Sequence, residues 1–423
     1  MIVHKPLITC AGDEVRVEAA IELKHSDLPR PSTLWFALPN VYQNHVTDWA
    51  DGFAVALLPL AMRLGEPMRI VGELSSRLAA GMREYQRIQS AWKPGFFTQV
   101  EVQCERLRTR DPGEASGAVG VAFSGGVDSS YSLWSHLAEN EPYPTFRVSH
   151  CLMINGFDED SDLSGPGRFL PIQRLYETAM ARQGVGLLVV RTNLLQILGY
   201  EVRKQSFAAF LTATALVLGR LFSRLFVSSG HNVPAIGMYR DGSHLMLDHL
   251  LTSETMETIH DGAHATRVDK TVAISRWPET YDLLRVCFHA TGVQEGRDAI
   301  ANCCRCEKCI RTMTTLEIAG SLANYRCFRR PLDQKIIRDA DFSSPAAGLF
   351  TQQIIDFAVQ AGRRDIARDL RHAFRKSRCF RRPIGRIARA SFRLEGRSRL
   401  WAAIVSAPKR LLKRVGWGRG WLY

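Results

Sequence analysis

No stretch of this 423-residue chain is long and apolar enough to cross a bilayer as a helix. Its longest apolar runs, Phe53–Met62 and Phe207–Gly219, stop short of the roughly 18 residues that a span requires. The opening, Met1–Thr9, has no basic region followed by an apolar one, so no signal peptide is expected and the expected compartment is the cytoplasm. There the ten cysteines should stay reduced, and a cluster among them favours metal or catalysis over disulfides. The GxxxxGKS pattern is also missing, and with it the lysine that γ-phosphate-transferring P-loops aim at the β- and γ-phosphates. No internal repeat is visible.

What remains is ordinary for a soluble globular protein: 46% hydrophobic and 23% charged residues, in a chain long enough for two or three folding units. The net charge of +13 is unevenly placed. Arg363–Tyr423 holds 19 Lys or Arg against Asp365, Asp369 and Glu395, or +16, which leaves 13 − 16 = −3 for the rest. The body is near neutral, and the basic tail is suited to RNA, an anionic membrane surface or an acidic partner. Leu400–Leu412 followed by Trp417 and Trp421 has the mixture of an interfacial helix, interrupted at Pro408; a solvated extension is the alternative.

Pattern changes divide the chain at about 112 and 330. Residues 1–112 read as an α+β domain. Val15–Leu23 and Thr33–Leu38 are strands, Asp51–Ser90 is helical in two pieces broken at Gly65-Glu66-Pro67, and Gln99–Cys104 alternates again. Asp111–Gly117 has linker composition. Residues 113–330 alternate buried strands with helices, the signature of a doubly wound parallel sheet. Strands are expected at Val119–Phe123, Val148–Ile154, Gly186–Arg191 and Leu225–Ser228. An acidic loop (Asp158, Glu159, Asp160, Asp162) follows the second, and Phe207–Phe222 is a helix packed on the sheet. Residues 331–423 read as a helical, strongly basic extension with helices at Thr351–Ala361 and Arg363–Arg375.

Ser124-Gly125-Gly126-Val127-Asp128-Ser129-Ser130 joins the first strand of the second domain to a helix. Glycines permit a tight bend and close approach of an anion, and the free amides of a helix start carry partial positive charge. Ser124, Ser129 and Ser130 add hydroxyl donors, and Asp128 can orient magnesium or an amide. The loop resembles that of the N-type, or PP-loop, ATP pyrophosphatases, which embrace a leaving pyrophosphate. The bland alternative is a Ser/Gly-rich helix cap without a ligand.

Cys303, Cys306 and Cys309 stand at CxxCxxC spacing, with Cys287 upstream. Four thiolates complete a closed tetrahedral zinc site, and Arg305, Lys308 and Arg311 offset their charge. A radical-SAM cluster would need CxxxCxxC, and Asn302 occupies the place of its first cysteine. A persulfide-carrying pair and a group of buried free thiols remain as alternatives. Cys304 is the spare.

Loop and cysteines together resemble the 7-cyano-7-deazaguanine synthase family, over roughly Val119–Met313. The similarity extends through Phe210-Leu211-Thr212-Ala213-Thr214-Ala215, Val227-Ser228-Ser229-Gly230-His231-Asn232 and Thr266-Arg267-Val268-Asp269-Lys270. The resemblance implies a HUP-type sheet, ATP, Mg2+ and a structural Zn2+, with adenylation of a carboxylate before a nitrogen nucleophile attacks. Carried over by position, Ser124–Ser130 bind ATP, Cys287, Cys303, Cys306 and Cys309 bind zinc, and Arg267 and Lys270 face the phosphates or the adenylate. An exposed helix-start pair is the alternative for those two. Three departures stand out. The Cys287–Cys303 gap is longer than the family's, Cys304 replaces a usual glycine, and Gly237–Gly242 only echoes the substrate stretch, so a deazapurine substrate is not implied.

The expected reaction is therefore ATP-dependent activation of a carboxylate or amide, yielding AMP and pyrophosphate, with Asp128, Arg267 and Lys270 as catalytic residues in a possible homodimer. His231, Asp241 and His244, after the fourth strand, are candidates for proton transfer. The rival functions are a PP-loop tRNA sulfurtransferase and a non-catalytic ATP-binding scaffold.

Overall fold

The computed structural model describes residues 1–24, 31–157, 169–237, 239–287 and 300–381. The acidic loop around Asp158 and the tail beyond Arg381, including Leu400–Leu412, lie outside these residues. Two compact units emerge, one of Met1–Cys303 with Ala319–Arg329, the other of Cys304–Ile318 with Arg330–Tyr423.

The first unit is α/β and is built on one large mixed sheet. Its strands are β1 (Ile2–Val3), β2 (Leu7–Ala11), β3 (Glu14–Glu22), β4 (Thr33–Pro39), β5 (Met68–Ser75), β6 (Val102–Arg108), β7 (Ala118–Ala122), β8 (His150–Asn155), β9 (Gly186–Thr192), β10 (Phe222–Ser228) and β11 (Glu257–Asp261). They lie in the order β11-β10-β7-β8-β9-β4-β3-β1-β5-β6, with β2 paired to β3. From β11 to β9 every pairing is parallel, and β8 and β10 flank β7 on opposite sides. The order therefore reverses at β7, a topological switch point where α/β sheets place ligands.

Helices cover both faces: α1 (Asp51–Leu64), α2 (Ser76–Trp92), α3 (Val127–Ser135), α4 (Phe169–Arg182), α5 (Leu194–Leu198), α6 (Tyr200–Gln205), α7 (Phe207–Val217), α8 (Val233–Ile236), α9 (Arg267–Ile274) and α10 (Thr280–Leu283). Alternation along each strand sorts the core in two. Leu152, Leu225 and Val227 pack with α1 and α7, whereas Val121, Cys151, Met153 and Phe226 pack with α3 and α4.

Three expectations are corrected. The boundary near residue 112 does not divide compact units: β4 pairs antiparallel with β9 (Phe36↔Thr192, Ala37↔Arg191), and the buried Asn193 side chain accepts from the Trp35 amide at 3.0 Å and donates to the Thr33 carbonyl at 2.8 Å. The physical cause is α1, buried continuously from Asp51 to Met62. A helix apolar on all sides needs cover on all sides, and α7 supplies it at such close range that a Cβ on Gly52 would lie 2.8 Å from the Ala213 carbonyl oxygen. Second, Met68–Ser75 is a strand, not part of a helix, and its buried Met68, Ile70 and Leu74 are consistent with a period of two. Third, β1, β2 and β11 have no counterpart among the expected strands.

Loop 237–251, after β10, is braced from the amino-terminal third. Gly81 of α2 meets Leu250 so closely that a Cβ would lie 1.9 Å from its carbonyl oxygen, and Trp92 packs edge-on against His244 with centroids 4.6 Å apart.

The second unit is helical: α11 (Glu307–Ile318), α12 (Gln334–Asp339), α13 (Pro345–Gln360) and α14 (Arg364–Lys376). Ser344 caps α13 by accepting from the Ala347 amide, and Asp333 caps α12 by accepting from Ile336. Gly362, at φ +74°, makes the left-handed turn into α14, whose Ile366, Ala367, Leu370 and Ala373 are buried. Among the described residues no helix is long and apolar enough to cross a membrane.

Candidate functional site

The loop after β7 occupies the switch point, and its shape depends on Gly125. That residue has φ +73°, and a Cβ there would lie 1.8 Å from the Tyr176 hydroxyl oxygen, so only glycine fits. Tyr176 is fixed in turn by donating to the Leu283 carbonyl at 2.9 Å. Within the bend the Ser124 amide donates to Ser129 Oγ at 3.2 Å and the Gly126 amide to Ser124 Oγ at 3.3 Å. The two hydroxyls lie 3.2 Å apart. The bend is thus a small ring closed by its own hydrogen bonds at the start of α3.

Asp128, in the first turn of α3, meets two cations from α9. Arg267 Nη2 lies 2.5 Å from Asp128 Oδ2, and Lys270 Nζ lies 3.7 Å from Oδ1. Lys270 also donates to the Ser229 carbonyl at 2.6 Å, and Arg267 reaches the Gly230 carbonyl at 3.4 Å. The sequence places these cations locally: Thr266 caps α9 and Asp269 completes a capping box, so Arg267 and Lys270 sit one turn apart on one face. Burial pulls the Lys270 ammonium below its ordinary pKa, against the opposing pull of Asp128. At 1% side-chain exposure Lys270 is not an exposed helix-start residue, and that alternative is set aside for it.

Deeper on the same face, Asp261 ends β11. It accepts from Ser132 Oγ at 2.5 Å and faces His136 Nε2 at 3.2 Å, while His136 Nδ1 meets Glu141 at 2.7 Å. Burial opposes the charged imidazole, but the two carboxylates outweigh it and raise the His136 pKa. Two further polar groups flank the bend. By strand alternation Asn155 shares the face of Cys151 and Met153, and Ser228 that of Phe226. Among the described residues the amide nitrogen and oxygen of Asn155 and the hydroxyl of Ser228 are buried without a hydrogen-bond partner. Buried polar groups are ordinarily satisfied, so polar capacity is left over on both sides of β7 at its carboxyl end.

His231, Asp241 and His244 do not form one constellation. His231 stacks on Tyr239 with centroids 4.5 Å apart and lies 3.9 Å from Asp241. His244 is buried and structural: its Nδ1 accepts from the Met246 amide and its Nε2 donates to the Ile236 carbonyl. Burial lowers its pKa.

The four expected metal ligands do come together. The sulfurs of Cys287, Cys303, Cys306 and Cys309 all lie within 4.8 Å of one another, close to the edge of about 3.8 Å for four sulfurs around one zinc at about 2.3 Å. Four soft donors so arranged could hold a metal ion such as zinc. Cys304 is outside the group; it is buried at φ +57°, the sole non-glycine residue with positive φ among the described residues.

Sequence reasoning missed the brace between cysteines and loop. The buried Asn302 side chain accepts from the amides of Val286 and Cys287 at 3.0 and 3.1 Å and donates to the Leu284 carbonyl at 2.8 Å. The Arg285 amide in that clipped segment donates to the Gly125 carbonyl at 2.7 Å. Asp261, Ser132, His136, Asn155 and Tyr176 were missed as well. Of these only the Asp261-Gly262 pair closing a strand carried a local signal. No family model, no curated protein and no solved structure matches this chain.

Proposed function

We propose that the bend Ser124–Ser130 is a PP-loop nucleotide site and that the protein is an adenylating enzyme resembling the 7-cyano-7-deazaguanine synthases. The observation that supports this reading best is Asp128 holding Arg267 and Lys270 against a glycine bend at the switch point. Cations and amide donors thereby converge where a polyphosphate would lie, and preorganised donors of this kind stabilise charge as it develops. A substrate carboxylate oxygen attacks the α-phosphorus of ATP, the bond to the bridging oxygen breaks, and pyrophosphate leaves. A nitrogen nucleophile then attacks the activated carbon, AMP departs with the carbon–oxygen bond pair, and the nitrogen loses a proton. Arg267 and Lys270 face the phosphates, and Asp128 holds both cations in place. Asp128 and the loop serines are the oxygen ligands available to magnesium, which would offset phosphate charge. Cys287, Cys303, Cys306 and Cys309 would hold zinc as a structural centre, and the Asn302 side chain and the Arg285 amide would tie the Cys287 segment to the bend.

The test is product analysis across a panel of carboxylic acids and amines. AMP and pyrophosphate are expected in equal amounts, with turnover lost in Asp128→Ala while the far-UV spectrum holds. ADP and phosphate as products would refute the mechanism. Nucleotide binding without AMP formation would favour a scaffold, and a persulfide on a cluster cysteine with no bound zinc would favour sulfur transfer.

A further inference from the structure

The outer face of α14 carries more positive charge than its own fold neutralises. Arg364, Arg368, Arg371 and Arg375 follow one another at spacings of four, three and four residues, and all are exposed. At 3.6 residues per turn they fall within about 60° of arc, in a row about 16 Å long. Exposed Arg378 follows in the next turn. The nearby carboxylates are engaged elsewhere or shared. Asp369 is buried and faces both Arg338 at 3.9 Å and Arg368 at 3.8 Å, Asp365 pairs with Arg363, and Asp339 with Lys376. Among the described residues no carboxylate pairs with Arg364, Arg371 or Arg375. Like charges at these spacings repel one another, and of the row only Arg375 lies in the last turn, where the helix itself favours a cation.

Two features choose between polyanions. The cations are arginines, whose forked guanidinium matches phosphate in two hydrogen bonds. No large apolar side chain is exposed among them, and the apolar side of α14 is spent within its own unit. A helix that lies on a membrane needs that apolar side free. We propose that the outer face of α14 binds the phosphate backbone of nucleic acid, independently of base sequence and independently of the nucleotide-loop reading. A one-dimensional row of forked cations fits a linear chain of phosphates.

The experiment is a salt titration of the full-length protein with a labelled single-stranded RNA of about 24 nucleotides, a DNA of the same sequence, and phosphatidylserine vesicles. Log K should fall linearly with log salt for both nucleic acids. In the variant R364Q/R368Q/R371Q/R375Q the slope should shrink by about 3, from about 0.7 per lost cation on a single strand. The corresponding four-lysine variant should keep the slope, because counterion release counts charges. The eleven Lys and Arg beyond Arg381 are present in every form, so the change in slope isolates α14. Unchanged melting curves verify that the variants fold. An unchanged slope in the glutamine variant, no binding to RNA or to DNA, or vesicle binding as tight as nucleic-acid binding would each overturn the proposal.

Discussion

Gly125 shows how a single missing side chain can fix a site. A methyl group there meets the Tyr176 hydroxyl oxygen, and any L-residue resists φ +73°. Gly125→Ala should therefore cost about 2–5 kcal/mol, summing roughly 1–2 for the left-handed backbone and 1–3 for overpacking. Thermal or denaturant unfolding reads that loss, and under the proposed function ATP affinity should fall with it. Tyr176→Phe in the same chain should recover only part, since the ring carbon would still lie 2.6 Å from the new methyl. A fully stable Gly125→Ala protein would show that the bend tolerates side chains. At this scale the sequence was most informative about residues whose role is local: Ser124–Ser130 and the CxxCxxC cysteines announce themselves by spacing. Tyr176 does not, because it matters through Gly125 and Leu283, both far away in the chain. His136 adds a pH signature. Its raised pKa gives stability that is complete below the ordinary histidine value and is lost as pH rises through the folded-state pKa.

Between elements, the seam of β4 and β9 is the junction most exposed to a single change. Asn193 replaces ladder hydrogen bonds where the two strands diverge, satisfying Trp35 N–H and Thr33 C=O from one buried amide. Asn193→Leu keeps the volume and orphans both backbone groups, a loss of about 2–6 kcal/mol at about 1–3 kcal/mol per unsatisfied group. Denaturant midpoints measure the total, and amide exchange should quicken at Trp35 ahead of the β7 and β8 amides. Equal protection in variant and parent would mean that the seam is held elsewhere. Elements with strong periodicity were legible: β3, β4, β8, β9, α13 and α14 fall within a few residues of where alternation or helical spacing put them. β5 was not, because Met68–Ser75 lies between two helices whose pattern extends over it and a register shift between Ile70 and Glu73 interrupts its alternation. β1 and β2 are too brief to show a period at all.

For the molecule as a whole, the Asp111–Gly117 segment misled by composition. Its Pro and Gly do make a turn, with Asp111 accepting from the Gly113 amide at 2.8 Å and Ser116 donating to the Leu221 carbonyl at 2.8 Å. A turn is not a border, however, and the partner of an edge strand is not written in either strand. The all-round apolarity of α1 was the available clue. A fragment of residues 113–330 alone should consequently fail to show a cooperative melt, because it bares α7 and the β9 edge. A fragment that melts sharply and stays monomeric would restore the independent-domain reading. The contact of Gly81 with Leu250 has a related consequence for specificity. The loop that follows β10 rests on a helix drawn from the first quarter of the chain, so the surroundings of His231 are governed partly by residues that never touch it. Enlarging Gly81 would push on that loop from behind, and changes at the proposed site could therefore arise well outside the segment that carries the glycine bend.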